Sequence, residues 1–293
     1  MSAEGTILIG TCGYSYEEWK RVFYPTSIQS HEMLSYYQQH FSTVEIDSSF
    51  YRIPTKRTTS SWLNTSSPNF RFSAKLPQSV THDALLDLDE CEGFLDEYLQ
   101  NMDILDINNK MLCYLLQLPP KFSYHKHKKR LEEFLKVWNE KRMDFLDKEG
   151  INQKKNQKRE QRKIPHFHRQ LIAEFRNKSW IREETQEILR KYKVGYCVVI
   201  EPVLPDTLIV THPEIAYIRF HGFGKKIWFD YLFSEKDMEE WALKLKTLRT
   251  QVPNILVYFN NHFSGKAVKN ANQLHAKLGI KKKPPTMGLE RYF

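Results

Sequence analysis

The chain has 293 residues, of which 41% are hydrophobic and 13% aromatic, and it carries a formal net charge of +9. This composition excludes a disordered chain and allows one barrel-sized domain or two smaller ones. No run of about 18 apolar residues occurs, and the N-terminal MSAEGTILIG lacks the basic start and apolar core of a signal peptide, so we expect a cytoplasmic protein with no membrane partner.

The positive charge is concentrated in one segment. Residues 121–169 contain 16 Lys and Arg against 7 Asp and Glu, so this segment alone accounts for the net charge of +9. Any binding of nucleic acid would therefore depend on this segment and not on the body of the fold. We predict a basic helix at Lys126–Asp147, followed by a solvated polar linker at residues 149–163.

Eight strand-like segments alternate with helical segments along the chain. The predicted strands are Ile7–Cys12, Thr43–Asp47, Phe70–Leu76, Met111–Leu118, a strand within Gln170–Trp180, Gly195–Ile200, Ile215–Phe220 and Ile255–Phe259. The predicted helices are Gln29–His40, Thr55–Thr65, Asp89–Leu105, Lys126–Asp147, Glu183–Lys191, Glu235–Arg249 and Lys266–Leu278.

This alternation predicts a single (β/α)8 TIM-type barrel over residues 1–293, with residues 121–169 as a basic insertion between strands 4 and 5. An open doubly wound sheet is the alternative, but no glycine-rich phosphate turn follows strand 1. The four cysteines are widely spaced and three lie in apolar strand-like segments, which predicts reduced core thiols. They are Cys12, Cys91, Cys113 and Cys197.

The fifth strand carries an acid and a base at its end. Glu174 and Arg176 are two residues apart, and because side chains alternate along a strand, both should point to the same face. Other strands also end in polar residues although their bodies are apolar. These residues are Glu45 and Asp47, Lys75 and His82, Gln117, Glu201, Arg219 and His221, and Asn260 and His262. In a barrel they would meet at one mouth, where barrel enzymes have their active sites.

The charged residues also have a structural interpretation. Glu174 with Arg176, and Arg219 with His221, are typical of ion pairs that close a barrel rim. Two arginines together with Lys75 and two histidines would outnumber nearby acids, however, unless an anion joins them. This count favours a mouth that binds an anion.

Other polar and aromatic residues have less specific patterns. His82 and His262 lie beyond the strands, as polar loop residues often do, and the aromatic loop Tyr14–Trp19 is typical of a hydrophobic lid or a ring-stacking platform. Two His-x-His pairs have metal-like spacing but lie in the basic segment: His125 with His127, and His166 with His168. We predict no metal site and no cofactor, and metal dependence stays open.

Seven motifs in order resemble the DUF72 family, also called the YecE-like family. They are GTCGYSYEEWKRVFYP, FSTVEIDSSFYRIP, FRFSAKLPQSVTHD, LLQLPPKF, AEFRNKSW, YIRFHG and VYFNNHFSGKAVKNA, and they run from Gly10 to about Ala271. The resemblance implies a TIM-type barrel but no reaction, because the activity of the family is not established. The long basic insertion after Pro120 departs from the family pattern.

The resemblance also implies a set of shared positions at the predicted mouth. They are Glu45, Phe50, Tyr51, Lys75, His82, Gln117, Glu174, Arg176, Trp180, Arg219, His221, Gly222, Asn260 and Asn261.

The first functional hypothesis is an enzyme that acts on an anionic, phosphorylated or carbohydrate-like substrate in the mouth, such as a hydrolase with carboxylate acid and base residues. Glu174 and Glu45 would exchange protons, and Lys75 or His221 would stabilise developing negative charge. Arg176 and Arg219 would clamp an anion. The substrate would be bound by Arg176, Arg219, Tyr51, Gln117, Trp180, Asn260, Asn261 and His82.

Two alternatives belong to other classes. The basic segment at residues 121–169 could bind nucleic acid beside a phosphodiester-processing mouth, which predicts strongly salt-dependent binding. A non-catalytic ligand-binding barrel would instead have a rim whose charges are fully paired with one another. The pairing of the rim charges therefore separates the hypotheses.

Overall fold

The computed structural model of the chain describes residues 5–151 and 167–280. Eight parallel strands form one sheet in the order β1-β8-β7-β6-β5-β4-β3-β2. They are β1 (Thr6–Thr11), β2 (Thr43–Ile46), β3 (Arg71–Lys75), β4 (Met111–Leu118), β5 (Leu171–Phe175), β6 (Gly195–Ile200), β7 (Ile215–Phe220) and β8 (Asn254–Phe259). The predicted (β/α)8 barrel is confirmed, and β4, β6 and β7 have the predicted bounds.

Helices connect the strands on the outside of the barrel. They are α1 (Met33–His40), α2 (Ser48–Tyr51), α3 (Lys56–Thr65), α4 (Leu88–Ile107), α5 (Tyr124–Lys148), α6 (Glu183–Tyr192), α7 (Glu235–Leu248) and α8 (Lys266–Lys277). Residues 201–214 join β6 to β7 without a helix. Within residues 5–151 and 167–280, every helix is too short or too polar to span a lipid bilayer.

The barrel closes at a seam between β1 and β2 that a single bridge spans, between Cys12 and Glu45. The Tyr37 hydroxyl fills part of this seam, because it accepts a hydrogen bond from the Thr11 amide at 2.9 Å and donates one to the Thr43 carbonyl at 3.2 Å. Gly10 allows close approach here, since a Cβ at this position would lie 2.3 Å from the Thr43 carbonyl oxygen.

The strands place alternate side chains inside and outside the barrel. On β7, Tyr217 belongs to the inner apolar cluster, whereas Ile218 and Phe220 pack under the outer helices. Arg219 is two residues after Tyr217 and therefore also points inward. All four cysteines are buried and unpaired, which confirms the predicted core thiols.

The helical part of the basic segment belongs to the barrel itself. One face of α5 is buried through Leu131, Phe134, Leu135 and Trp138, and the Trp138 indole donates to the Arg169 carbonyl at 3.1 Å. Residues 121–169 thus include α5, the barrel helix between β4 and β5. Most of the predicted polar linker, residues 152–163, lies outside the described residues.

Candidate functional site

Arg219 lies at the centre of a buried charge network at the carboxyl ends of the strands. Its side chain is only 3% exposed, its Nη1 donates to Glu174 Oε2 at 2.6 Å and its Nη2 donates to Glu45 Oε1 at 2.8 Å. The Tyr217 hydroxyl donates to the second oxygen of Glu45 at 2.5 Å. One guanidinium thus joins the carboxylates of β2 and β5 across the barrel.

Arg176 belongs to the same network and is its more exposed arginine, with 13% of its side chain exposed. Its Nε donates to Glu174 Oε1 at 2.5 Å and its Nη1 donates to Glu201 Oε2 at 2.5 Å. Its Nη2 lies 2.8 Å from His221 Nε2. The expectation that Glu174 and Arg176 share one face is confirmed by their contact. A guanidinium has five N–H donors, so Arg176 has two left to offer a ligand.

His221 is held as a neutral ring in one tautomer. A guanidinium cannot accept a hydrogen bond, so His221 Nε2 must accept from Arg176 and the ring proton must lie on Nδ1. The atom 2.8 Å from Nδ1 is Asn260 Nδ2, so with the ring proton on Nδ1 the Asn260 amide must be turned to bring its oxygen to this position as the acceptor. Burial and the charge of Arg176 lower the pKa of His221 to about 3, so the ring is uncharged near pH 7.

The network keeps Glu174 ionised. Burial alone would raise the pKa of this carboxyl, but the charges of Arg176 and Arg219 hold the pKa well below its usual range. A carboxylate that is fully buried between two guanidinium groups is a weak base and is not available as an acid. Glu174 is therefore better suited to holding the arginines in place than to exchanging protons.

The two arginines are already neutralised by the protein. Arg219 and Arg176 contact three glutamates between them, Glu45, Glu174 and Glu201. The expected excess of positive charge over nearby acids does not occur in this network, which carries one more acid than base. An anion is thus not needed to balance the arginines.

Lys75 differs from the arginines because no acid among the described residues pairs with it. Among the described residues, no carboxylate lies within 4.0 Å of its amine, which instead sits 3.6 Å from the centre of the Phe50 ring. Burial and then the charge of Arg219 lower the pKa of the Lys75 amine to about 8. An appreciable fraction of this amine is therefore neutral near pH 8.

A cavity of about 730 Å³ opens above the network. It is lined by Asp47, Phe50, Tyr51, Lys75, Gln78, His82, Gln117, Pro120, Arg176, Glu201, Val203, Arg219, Trp228, Phe229, Asn260 and His262. Aromatic rings and planar amides form most of these walls, and Tyr51 is 80% exposed.

Seven of the twelve predicted site residues line this cavity. Those seven are Lys75, Arg176, Arg219, Tyr51, Gln117, Asn260 and His82. Three others, Glu45, Glu174 and His221, are buried beneath it in the charge network.

The structure places Trp180 and Asn261 elsewhere. Trp180 is fully buried, donates to the Phe122 carbonyl at 2.8 Å and stacks on Phe175 at 4.7 Å. Asn261 is also buried and donates to the Tyr231 carbonyl and to Asn270, each at 2.8 Å. Neither lines the cavity, and their hydrogen bonds hold the loops after β5 and β8 in place.

The site also contains residues to which the sequence patterns assign no role. Tyr217 could have been found, because it lies two residues before Arg219 on the same strand face. Trp228 and Phe229 are adjacent aromatics in the loop after β7, a weaker signal. Gln78 has no sequence signal, because its position depends on the π-helical turn at Ser79–Asp83 that follows β3.

The basic helix does not present free lysines in a row. Helix α5 contains eight Lys and Arg against five Asp and Glu. Three of its lysines pair with a glutamate one turn further on, as Lys128 with Glu132, Lys129 with Glu133 and Lys136 with Glu140. These pairs do not favour the nucleic-acid hypothesis.

The histidine pairs of the basic segment show no shared arrangement. His127 stacks on Phe122 at 4.5 Å and its Nδ1 contacts Ser123, whereas His166 lies outside the described residues. In the part of the chain that the structure describes, no three His, Cys, Asp or Glu side chains are grouped as metal ligands.

Comparison with known proteins identifies relatives that match nearly all or part of this chain. The UPF0759 protein YunF of Bacillus subtilis is 26% identical, covering 94% of this chain and 95% of its own. The UPF0759 protein YecE of Escherichia coli is 30% identical over 116 residues, which is 40% of this chain and 39% of its own.

Solved structures of similar proteins share the fold. A DUF72 family protein from Thermotoga maritima is 28% identical with a TM-score of 0.74, covering 94% of this chain and 99% of its own. A DUF72 family protein from Enterococcus faecalis has a TM-score of 0.71 at 19% identity, with the same coverage. The family model described as protein of unknown function DUF72 matches residues 8–290, and this chain therefore belongs to the DUF72 family.

Proposed function

We propose that this chain is an enzyme that binds a carbohydrate-like small molecule, with or without a phosphate group, in the mouth cavity and transforms it by acid–base chemistry around Lys75. The observation that carries this proposal is the environment of Lys75. Of the three cationic side chains that line the cavity, both arginines are paired with glutamates, whereas Lys75 contacts no acid among the described residues. Its charge is thus available to a ligand.

The walls of the cavity support a sugar-like ligand. Sugars present apolar C–H faces that stack on aromatic rings, and Phe50, Tyr51 and Trp228 offer such rings. Sugars also present hydroxyl groups that both donate and accept hydrogen bonds. The amides of Gln117 and Asn260 can meet them, because an amide has both a donor and an acceptor.

The two free N–H donors of Arg176 support a phosphorylated form of this ligand. Arg176 lines the cavity and its side chain is 13% exposed, so the remaining donors can reach an oxygen of a phosphate group. Arg219 forms part of the cavity floor with Glu174 beneath it, and both act as positioning residues. In this proposal they hold Arg176 in place and do not exchange protons with the substrate.

Three groups of the cavity wall are suited to proton transfer. Burial and then the charge of Arg219 bring the pKa of Lys75 to about 8. Burial and then the charge of Glu45 raise the pKa of Asp47, and burial raises that of Glu201 against the opposing charge of Arg176. Groups with pKa values moved toward neutral pH are efficient general acids and bases.

A ligand screen by thermal shift tests the proposal. We expect simple sugars or their phosphates to raise the melting temperature of the wild-type protein, since a ligand at 100 times its Kd adds about 2.7 kcal/mol of stability. Lys75→Met should lose this shift. Lys56→Met removes an exposed charge that does not line the cavity and should keep it.

Nucleotides and oligonucleotides belong in the same screen at two salt concentrations. A shift caused by oligonucleotides alone, and abolished at high salt, would contradict the proposal and support nucleic-acid binding. A sugar-induced shift of equal size in Lys75→Met and wild type would also contradict it, because the ligand would then not depend on the mouth lysine.

A further inference from the structure

We propose that the amine of Lys75 forms a covalent imine with the carbonyl carbon of an open-chain sugar or a related small ketone or aldehyde. This inference rests on the proposed function, because it assumes that a carbohydrate-like molecule enters the mouth cavity. It goes further in naming the reacting group of the substrate, the carbonyl, and the nucleophile, Nζ of Lys75.

The backbone of Lys75 is fixed at the end of β3. Its carbonyl oxygen accepts hydrogen bonds from Ser49 Oγ at 2.7 Å and from the Tyr98 hydroxyl at 3.2 Å. The side chain extends over the Phe50 ring, 3.6 Å from its centre, and lines the cavity. A nucleophile that is held in one place at a cavity wall needs little further ordering to meet a bound carbonyl group.

Among the described residues, the amine of Lys75 contacts the face of the Phe50 ring but no polar group. Among the described residues its Nζ makes no hydrogen bond and no ion pair, so no acceptor holds it as an ammonium group. The lowered pKa, about 8, agrees with this geometry, since an appreciable fraction of the amine is then neutral near pH 8. Only the neutral amine has the lone pair that attacks a carbonyl carbon.

Lys110 shows what a structural lysine looks like in the same barrel. It precedes β4 at the opposite end, and its Nζ donates to the carbonyl oxygens of Ser66 and Ser67 at 3.3 and 2.6 Å. Burial brings its pKa to about 8 as well, followed by the charge of Arg71. The two lysines therefore share a lowered pKa, and what distinguishes Lys75 is its free amine in a cavity.

The step balances without any oxidant or reductant. The Nζ lone pair attacks the carbonyl carbon, a C–N bond forms, and the carbonyl electrons move to oxygen, which takes a proton while nitrogen loses one. The resulting carbinolamine then loses water, as the C–O bond breaks and the C=N bond forms. Asp47 lines the same cavity and can give a proton to the departing hydroxyl group.

Trapping of the imine tests the inference. The protein is incubated with dihydroxyacetone or dihydroxyacetone phosphate and sodium cyanoborohydride, which reduces an imine to a stable secondary amine. Intact-mass measurement then counts the adducts, and peptide mapping locates them. We expect one adduct on Lys75, formed faster as the pH rises through about 8. A larger yield with the phosphate would place a phosphate-binding group in the cavity.

Two variants serve as controls. Lys75→Arg keeps a positive charge but cannot form an imine, so the adduct should be lost, whereas Lys110→Arg should keep it. Labelling spread over surface lysines without preference for Lys75 would overturn the inference, and the wild-type peptide map decides this even if a variant fails to fold. If sugars stabilise the protein but Lys75 stays unlabelled, the imine is wrong and the proposed function stands. If sugars neither stabilise nor label it, both are wrong.

Discussion

At the scale of single residues, Arg219 decides what the neighbouring glutamates can do. The carboxylates of Glu174 and Glu45 both accept from its guanidinium inside a region closed to solvent. An ion pair of this kind gains little over an apolar pair, but losing one partner leaves an uncompensated buried charge. Glu174 and Glu45, which resemble acid and base catalysts in the sequence, thus hold Arg219 and Arg176 in place beneath the cavity.

Glu174→Gln tests this interpretation. The substitution leaves Arg219 and Arg176 facing a neutral amide, so we expect the free energy of unfolding to fall by about 3–5 kcal/mol. Arg190→Met, which breaks an exposed pair with Glu183, should cost less than about 1 kcal/mol. Urea unfolding measures both. A stable Glu174→Gln protein that has lost only turnover would instead support Glu174 as a catalytic base.

Part of this charge network can be predicted from the sequence. The spacing of Glu174 and Arg176 predicts a shared face because strand periodicity is strict. The link to Glu201 was not predictable, since it depends on how far the Arg176 side chain reaches across to the end of β6. The burial of Trp180 was not predictable for the same reason: an aromatic residue after a strand can turn into the mouth or the outer core, and the pattern does not distinguish the two.

At the scale of elements, the seam between β1 and β2 is where the sheet has few backbone hydrogen bonds. Tyr37 reaches from α1 and supplies both a donor and an acceptor to strand backbone that would otherwise lack them. The Tyr37 hydroxyl thus takes the place of the backbone hydrogen bonds that join the other pairs of neighbouring strands.

Tyr37→Phe should therefore weaken the barrel although it removes a single oxygen. The Thr11 amide would be left buried without an acceptor, and we expect a loss of about 1–3 kcal/mol in the free energy of unfolding. Tyr192→Phe is a suitable control, because the Tyr192 hydroxyl makes no hydrogen bond with the described residues. Equal stability of the two variants in thermal unfolding would show that the seam does not depend on this hydroxyl.

Helix α5 carries two sequence patterns, a high positive charge and a helical spacing of apolar residues. The charge count of residues 121–169 marked the segment as an insertion. Its apolar residues Leu131, Phe134, Leu135 and Trp138 nevertheless recur at helical spacing and pack against the barrel. Helix α2 was missed for a different reason, since four residues are too few for a periodic pattern.

At the scale of the whole molecule, the barrel was the most predictable property. Alternating strand and helix patterns along the chain decide the architecture, and the continuous apolar run of β4 indicates a strand that is buried on both faces. The cavity was not predictable, because its walls come from loops after several different strands and their side chains meet only in the folded chain.

The stability of the whole molecule should fall in mild acid, and His221 should contribute to this. Its pKa is about 3 in the folded protein and about 6.5 in an unfolded chain, so between these values only the unfolded chain takes up the proton. Stability therefore rises with pH across this window and falls as the pH drops from 6.5 toward 3.

Comparison of variants isolates this contribution. Between pH 7 and pH 5, wild type should lose about 2 kcal/mol more than His221→Asn. Substitution of the exposed His31 by Asn should leave the wild-type slope unchanged. Unfolding in urea at each pH measures the slope. Parallel curves for wild type and His221→Asn would mean that His221 already takes up a proton in the folded state.

The paired charges beneath the cavity have a consequence for protein engineering. Arg219 forms ion pairs with Glu45 and Glu174. This buried network should therefore keep its structure when side chains that line the cavity above it are substituted. Randomised libraries that alter substrate preference should therefore vary exposed wall positions such as Tyr51, Val203 and Trp228. Libraries that vary Glu45 or Glu174 should yield mostly unfolded clones, whatever substrate is used for selection.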